Sequence, residues 1–440
     1  MVIVKLWKFL VARAIYMMQW SRQQRSNNVS GPIRRLGETS EPADASAHQA
    51  ARAGFGDAQF VAEFEAVLHD LWNLGRNLVL GWCPAEGGVE LLVVPHYVIA
   101  GGLDPAQERN DRAVGNPHAF IQDLLGGDKQ LNPDIMHSRC KALGFPPTFV
   151  KLDADVGQVA AQISEIVKRF GITYVGDRAV TLFDFVGFSL FSPLEQVTQL
   201  NSLSYAVNAA HSKMLSKKID ISFARTTTGD GFYIWNRDRS IQANINLYHF
   251  MHLVLADNAI ARAKSSGNVT PLLRAAFHVG GHYEFYQSEG LNPTIYSYIV
   301  GDVTIELARL IERTVPGQVV VGDFDVPMPD AGADTASRVD TVDFIERTQE
   351  TLSSLEGLVL SGEPVEAIKC YLTGEHAEDD SYTVKKYLIT DKHGLTRHAY
   401  NAKINIYRGN SEPIFLGVQD HQLGSFADTI EGLEIVLEDM

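Results

Sequence analysis

Cysteine is scarce in this 440-residue chain. The three cysteines, Cys83, Cys140 and Cys370, lie far apart and lack CxxC spacing. An odd and scattered set of this kind argues against a disulfide framework and against a cysteine-ligated zinc site. A reducing compartment is the simplest fit, so the sequence predicts a cytoplasmic location.

Long apolar runs are also missing. The segment from Met1 to Trp20 is apolar, but Lys5, Lys8 and Arg13 interrupt it. No run reaches the roughly 20 apolar residues that a spanning helix needs, and no small-residue cleavage site follows, as a signal peptide would require. We therefore expect no stable membrane insertion, although a weak interfacial anchor stays open.

Positive charge is in deficit. The chain has 38 Lys and Arg against 53 Asp and Glu, for a net charge of −15. Bulk charge of this sign disfavours binding to nucleic acid or anionic membranes, so we expect no nucleic-acid partner. A substrate that is itself a polyanion would need divalent metal ions, or a few local Arg and Lys side chains, to offset the repulsion.

Two acidic residues stand beside glycines at predicted strand ends. The run from Ala179 to Phe185 is β-branched, apolar or aromatic, with Asp184 as its only charge. It predicts a buried strand that turns at Gly187. Asp230 lies in a Gly-flanked turn between two short β-prone runs, which predicts a hairpin. Neighbouring strands would let Asp184 and Asp230 share metal ions, whereas either acid alone is more typical of an ordinary turn.

The order of the predicted elements indicates the fold class. Between residues 179 and 321 the pattern predicts strand, helix, two strands, helix and strand, with the helices near 193–215 and 244–265. This βαββαβ order is the split unit of a ferredoxin-like antiparallel sheet with helices on one face. We therefore predict an α+β fold.

Composition divides the chain into four parts. Residues 1–54 are polar or interrupted by charge and are predicted to be disordered or poorly structured. Residues 55–172 are predicted to form a small α+β region of unknown role that ends in a connecting helix. Residues 173–375 contain the βαββαβ unit. Residues 380–440 alternate apolar and polar residues, which predicts a β-rich module.

Five segments resemble, in order, the motifs of one enzyme family. They are Phe183–Phe188, Thr228–Phe232, Arg274–Gly280, Tyr298–Arg309 and Pro316–Val321. Together they are similar to the catalytic domain of class III adenylate/guanylate cyclases, over residues 174–374. The resemblance implies that residues 173–375 are a nucleotidyl cyclase domain, a phosphorus-oxygen lyase with that family's ferredoxin-like core.

The resemblance also implies a metal centre. Asp184, Asp230 and the backbone carbonyl of Phe185 are expected to hold two divalent ions per site. Mg²⁺ or Mn²⁺ suits oxygen ligands of this kind and the two-metal chemistry of phosphoryl transfer. Gly187 and Phe188, which follow directly, are expected to bind substrate.

Arg309 stands at the position of the family's transition-state arginine, where a guanidinium matches a pentavalent phosphorane. Without the resemblance, Arg309 is better interpreted as a helix arginine paired with Glu306 or Glu312. The family's asparagine one turn earlier falls on Ile305, so its role would pass to another residue such as Thr304. The family's triphosphate-binding lysine falls near Ser361, and Lys369 is the nearest substitute.

Two positions predict which base the nucleotide substrate carries. The residues that read the purine in this family align with Thr226 and Tyr298, so neither the adenine pair nor the guanine pair is present. A hydroxyl and a phenol would suit a pyrimidine edge. The pyrimidine cyclases of Pycsar antiphage systems are similar in lacking the purine pair and in carrying a C-terminal sensor-like module, so UTP or CTP is favoured. ATP remains the alternative, because divergent adenylate cyclases have also lost the pair.

The family works as head-to-tail dimers in which each site takes residues from both chains. This chain carries both halves, so a homodimer is implied. The leading hypothesis is a cyclase that makes cyclic UMP or cyclic CMP as a second messenger in antiviral defence. The alternatives are an adenylate cyclase of bacterial signalling that makes cyclic AMP, and a catalytically silent cyclase-like sensor.

Overall fold

The computed structural model describes residues 45–101, 117–288, 295–330, 335–374, 383–391, 394–423 and 433–435. Most of the segment predicted to be disordered, residues 1–44, lies outside the described residues. Helix α1 (Ala45–Trp72) covers residues 45–54, which were predicted to lack structure, so that prediction was wrong there. Half of those ten residues are alanine, the residue with the highest helix propensity.

The region before the central sheet combines helices with a small antiparallel sheet. The sheet has the order β1 (Asn77–Ala85), β2 (Gly88–Pro95), β3 (Thr148–Lys151). The other helices are α2 (His96–Gly101), α3 (Pro117–Leu125), α4 (Pro133–Leu143) and α5 (Val156–Arg169). Strands β1 and β2 and helix α5 agree with the mixed α+β content and the connecting helix predicted for residues 55–172.

Helix α5 packs against this small sheet through one apolar stripe. Val159, Ile163 and Val167 are buried in one cluster with residues of β1 and β2. The indole Nε1 of Trp82 in β1 also donates to Ser164 Oγ at 3.0 Å. The three- and four-residue spacing of the stripe is what an amphipathic helix requires.

The rest of the chain is organised on one large sheet. Its strands are β4 (Ile172–Phe185), β5 (Phe223–Thr227), β6 (Gly231–Asn236), β7 (Leu273–Ser288), β8 (Ile295–Val300), β9 (Val319–Gly322), β12 (Val359–Leu360), β13 (Glu363–Leu372), β14 (Val384–Thr390), β15 (Thr396–Arg408), β16 (Ser411–Leu416) and β17 (Leu433–Ile435). Its helices are α6 (Pro193–Ser216), α7 (Ile241–Lys264), α8 (Asp302–Arg313) and α9 (Thr341–Thr351). A separate ribbon pairs β10 (Asp325–Pro329) with β11 (Ala336–Asp340). The predicted mixed α+β class is therefore observed.

The order of the main strands is β12-β13-β15-β9-β7-β4-β6-β5. Within it, the pairs β7–β4, β4–β6 and β6–β5 are antiparallel, and β9 runs parallel to β7. Strand β8 pairs with the second half of β7. Strand β4 is therefore hydrogen-bonded on both sides along the part that carries Asp184.

The two faces of this sheet carry different layers. Phe183 and Phe277 share a core with residues of α6 and α7, whereas Leu182 and Ala276 share a core with α8. Successive side chains of a strand point to opposite faces. Asp184, two residues after Leu182, therefore lies on the α8 side of the sheet.

The C-terminal strands continue the central sheet. Strand β15 pairs with β9 and β16 along one edge, and with β14 and β13 along the other. Its middle, Ala399 to Ile404, is buried on both faces. Residues 383–416 thus build strands onto the sheet that contains β4 and β7.

Among the described residues, no helix is long and apolar enough to span a membrane.

Lys129 is a buried cation at the start of the central sheet. The residue is 2% exposed, and its Nζ donates to the carbonyl of Ile172 in β4 at 3.1 Å. Burial, together with the smaller effects of the charges of Arg239, Arg139 and Lys168, lowers the pKa of Lys129 to about 7. The folded protein therefore releases this proton at a lower pH than the unfolded chain does.

We predict that Lys129→Met stabilises the protein most at pH 7 and below, and less as the pH rises above 7. The unfolded chain keeps the Lys129 proton up to its ordinary pKa of 10.5, so wild-type stability rises with pH between about 7 and 10.5. Removing the amine should raise the free energy of unfolding by about 2 to 4 kcal/mol at pH 7, and by less at pH 9.5.

Urea unfolding at the two pH values measures this difference. Lys151→Met is the control, because that lysine is 77% exposed. Equal stability differences at pH 7 and pH 9.5 for Lys129→Met would contradict the prediction.

Candidate active site

Asp184 is the next-to-last residue of β4 and is 7% exposed. It pairs with Gly231 of β6 on one side and with Arg274 of β7 on the other. Asp184 is the only charge in the run from Ala179 to Phe185, and it stands where the strand ends. Its side chain can therefore reach the edge of the sheet while its backbone stays in the ladder.

Asp230 lies in the turn between β5 and β6. The amide of Thr228 donates to the carbonyl of Gly231 at 3.0 Å, and Gly229 has a φ of +100°, a conformation that favours glycine. The amide of Phe185 donates to the carbonyl of Asp230 at 2.9 Å. This bond brings the second acid beside the first, as the sequence predicted for neighbouring strands.

Gly231 permits this close approach. A Cβ atom built on Gly231 would lie 2.0 Å from the carbonyl oxygen of Phe183, far inside any real contact. The pairing of β4 with β6 therefore requires a glycine directly after Asp230. This steric requirement explains why the acid is followed by glycine in the sequence.

The two acids and one arginine form a compact electrostatic group. Burial raises the pKa of Asp184, the Arg274 guanidinium opposes that rise, and the negative charge of Asp230 adds to it. Burial and the charge of Asp184 also raise the pKa of Tyr233, on β6, to about 12. Negative charge is thus concentrated at this strand end, and a cation would relieve it.

Arg274 is the residue that sequence reasoning missed. Its Nε donates to Asp184 Oδ2 at 2.6 Å, and its Nη1 donates to the carbonyl of Thr314 just after α8. The segment Arg274–Gly280 was recognised as one of the five segments that resemble the family's motifs, but its first residue was not singled out. The available signal was a cation at the start of an apolar strand, and only the register of β7 on β4 shows that it faces Asp184.

The backbone after Asp184 leaves the sheet in a tight turn. Gly187 adopts a φ of +68° and is exposed, and the amide of Leu190 donates to the carbonyl of Gly187 at 2.9 Å. The ring of Phe188 packs edge-on against Phe185 at 5.4 Å between centroids. The predicted residues Phe185, Gly187 and Phe188 thus lie in one loop beside Asp184.

Arg309 lies on α8 with its side chain 22% exposed. Its Nη1 contacts Glu312 Oε1 at 3.1 Å, and its Nε lies 3.6 Å from Asp391 Oδ2. Pairing with Glu312, the simpler interpretation of this arginine, is therefore observed. Glu306 instead pairs with Arg397 at 2.8 Å. The catalytic role of Arg309 stays a prediction.

The family's asparagine position is occupied by an exposed isoleucine, because Ile305 is 49% exposed. The suggested substitute, Thr304, uses its hydroxyl to cap α8. That oxygen accepts from the amide of Gly301 at 3.2 Å and donates to its carbonyl at 2.8 Å. The hydroxyl is thus engaged within its own helix turn.

The predicted base-reading residues lie on strands that touch each other, β5 and β8. Thr226 pairs with Tyr233 across β5 and β6. Tyr298 pairs with Phe285, and their rings stack at 5.4 Å with planes 17° apart. An aromatic surface is therefore present at Tyr298. Whether these two residues bind a base stays a prediction.

Lys369 is exposed on β13, where it pairs with Asn405 of β15. Among the described residues it makes no hydrogen bond or ion pair with Asp184 or Asp230. Ser361, at the family's lysine position, accepts a hydrogen bond from Lys264 Nζ. The substitute lysine is thus not brought to the acids within one chain.

Among known proteins, similarity is found to solved structures. No protein-family model matches the chain, and no curated protein matches it. The guanylate cyclase domain of RhGC from Catenaria anguillulae, in complex with GTP, is 9% identical with a TM-score of 0.31, over 54% of this chain and 98% of that one.

Two adenylyl cyclase structures are similar to a comparable degree. A bacterial light-regulated adenylyl cyclase is 15% identical with a TM-score of 0.27, over 42% of this chain and all of that one. The adenylyl cyclase CyaB from P. aeruginosa is 10% identical with a TM-score of 0.28, over 55% and 97%. Scores this low establish neither fold nor function for this chain.

We predict that Gly231→Ala destabilises the protein by about 2 kcal/mol or more, because the new Cβ would force β6 away from β4. Urea unfolding measures the loss. Gly176→Ala, in the neighbouring strand β4, is the control, since its Cβ would meet Tyr174 only at 3.8 Å. Equal stability of the two variants would show that the close pairing at Gly231 is not needed.

Proposed function

We propose that this protein is a nucleotide cyclase that converts a ribonucleoside triphosphate into a 3′,5′-cyclic mononucleotide and pyrophosphate. The observation that carries the proposal is the hydrogen bond from the Phe185 amide to the Asp230 carbonyl, which sets two acids side by side at a strand end. The antiparallel order β7-β4-β6-β5 supports a ferredoxin-like core of the class III cyclase type.

The residues at this strand end fit divalent ions. Both side chains offer oxygen donors, which Mg²⁺ and Mn²⁺ prefer. Burial and the charge of Asp230 raise the pKa of Asp184 even with a guanidinium 2.6 Å away. Among the described residues no larger cluster of His, Cys, Asp and Glu could hold a metal. Asp184, Asp230 and the Phe185 carbonyl would hold the ions.

Bound ions would supply activation of the ribose 3′-hydroxyl and neutralisation of the triphosphate. The chain's own residues do the rest. Asp184 and Asp230 would hold the ions at the strand end. The loop at Gly187 and Phe188 would let the triphosphate approach the backbone. Arg274 forms an ion pair with Asp184, and its guanidinium would be available to the triphosphate.

Arg309 would stabilise the phosphorane from a second chain. Within one chain it contacts Glu312 and Asp391 instead of the acid pair, which supports a site completed by a homodimer. A planar guanidinium contributes most where charge develops in the transition state.

The base is proposed to be a pyrimidine, so that UTP or CTP yields cyclic UMP or cyclic CMP. The support is the pair Thr226 and Tyr298, which offers hydroxyl groups where purine-reading residues would stand, with Tyr298 stacked on Phe285. A cytoplasmic location follows from the scattered cysteines, and a second messenger for antiviral defence follows only from the sequence resemblance. ATP remains the alternative substrate.

We expect the purified protein with Mn²⁺ to convert one of the four ribonucleoside triphosphates, assayed in parallel, into its cyclic 3′,5′-nucleotide and pyrophosphate. Asp230→Ala should abolish product formation, because one of the two metal ligands is lost. Asp220→Ala, an exposed acid shortly before β5, is the matched control and should stay active. The absence of any product at high enzyme concentration would favour the silent-sensor alternative.

We further expect Thr226→Lys combined with Tyr298→Asp to shift the ratio of kcat/KM toward ATP by about tenfold or more, since the pair restores donors and acceptors for adenine. Competition assays between ATP and the preferred pyrimidine triphosphate measure the shift. Tyr205→Asp, on an exposed tyrosine of α6, serves as control. An unchanged ratio would remove these two residues from base recognition.

A further inference from the structure

Four alternating charges link helix α8 to the hairpin of β14 and β15. We call Glu306, Arg309, Asp391 and Arg397 the Asp391 cluster. Arg397 Nη1 contacts Asp391 Oδ2 at 3.0 Å, and its Nε lies 2.8 Å from Glu306 Oε2. Arg309 Nε lies 3.6 Å from the same Asp391 oxygen. Two guanidinium groups therefore share one carboxylate.

Asp391 is held rigidly by its own turn. Its amide donates to the carbonyl of Leu395 at 2.9 Å, and the amide of Gly394 donates to the carbonyl of Asp391 at 3.0 Å. The amide of Leu395 in turn donates to Asp391 Oδ1 at 3.0 Å. One carboxylate oxygen is thus fixed by backbone, and the other faces the two arginines.

Burial makes this carboxylate an effective anchor. The side chain of Asp391 is 1% exposed, against 22% for Arg309. A charge pair with one buried partner is screened by water less than a surface pair is. Arg397, at 12% exposed, lies against the same carboxylate and offsets the cost of burying Asp391.

The anchor restrains the guanidinium of Arg309 at one end only. Asp391 faces its Nε and Glu312 faces its Nη1, so among the described contacts Nη2 is left for another partner. An arginine side chain has many rotamers, and fixing them before a ligand arrives reduces the entropy lost on binding. The C-terminal hairpin also contacts the end of α8, because Arg313 donates to the carbonyl of Thr390 at 3.0 Å.

We propose that Asp391 is a positioning residue that orients Arg309 for the phosphoryl transfer. The proposal rests on the proposed cyclase function and assigns to the C-terminal strands a direct part in the site. Asp391 touches neither substrate nor metal in this scheme. It acts by holding the guanidinium in the orientation that the transition state requires.

The test is a double-mutant cycle measured with the triphosphate that the wild-type protein converts. Asp391→Asn should lower kcat about 10- to 100-fold, because a small misplacement of a catalytic group has effects of that size, with KM changed less than about twofold. In an Arg309→Ala background, Asp391→Asn should cause no further loss. Asp323→Asn is the matched control, since Asp323 pairs with Lys386 of the same hairpin at 2.7 Å.

Two results would overturn the proposal. One is an Asp391→Asn protein whose kcat stays within about twofold of wild type. The other is an equal fractional loss of kcat with and without Arg309, which would indicate a structural role. Should Asp391→Asn fail to fold, as judged by circular dichroism, Asp391→Glu keeps the charge and tests the same point. We expect it to lower kcat, and wild-type kcat would count against the proposal.

The outcomes separate the two proposals. If wild-type protein makes no cyclic nucleotide from any triphosphate, the cyclase function itself is wrong. If the wild-type protein is active but the double-mutant cycle gives either of the two contradicting results, the cyclase function stands and the role of Asp391 is rejected.

Discussion

The pairing of β6 with the end of β4 is the constraint on which the site depends. A single backbone hydrogen bond, from Phe185 to Asp230, continues that pairing past the last ladder residue and fixes where the second acid lies. Backbone bonds of this kind are individually modest, near 1 kcal/mol net. This one is held by the strands on both sides of β4, so the positions of the two acids follow from the whole sheet.

Placing like charges together at a half-buried strand end is unfavourable, and the structure offsets it locally. Arg274 approaches Asp184 from β7, and its Nε donates to the carboxylate at 2.6 Å. The same solution appears at Asp391, where Arg397 and Arg309 face one buried carboxylate. In both places a guanidinium neutralises an acid while keeping nitrogens available, as its several donors allow.

Strand β15 connects these two places. It runs beside β9, which lies next to β7, and it also carries Arg397 near its start. A segment that composition set apart as a C-terminal module is therefore bonded into the sheet that bears the acids. Continuity of a sheet transmits position because ladder hydrogen bonds cannot slip by one residue without moving every side chain to the other face.

The sequence by itself determined the element types around the site and the identity of the two acids. A β-branched run predicts a strand, and glycines beside an acid predict a turn, because both signals are local properties of backbone conformation. Only the tertiary structure decided that Arg274 faces Asp184 and that Asp391 faces Arg309. Those contacts join residues 90 and 82 positions apart, and strand register and helix docking, to which no local pattern is sensitive, bring them together.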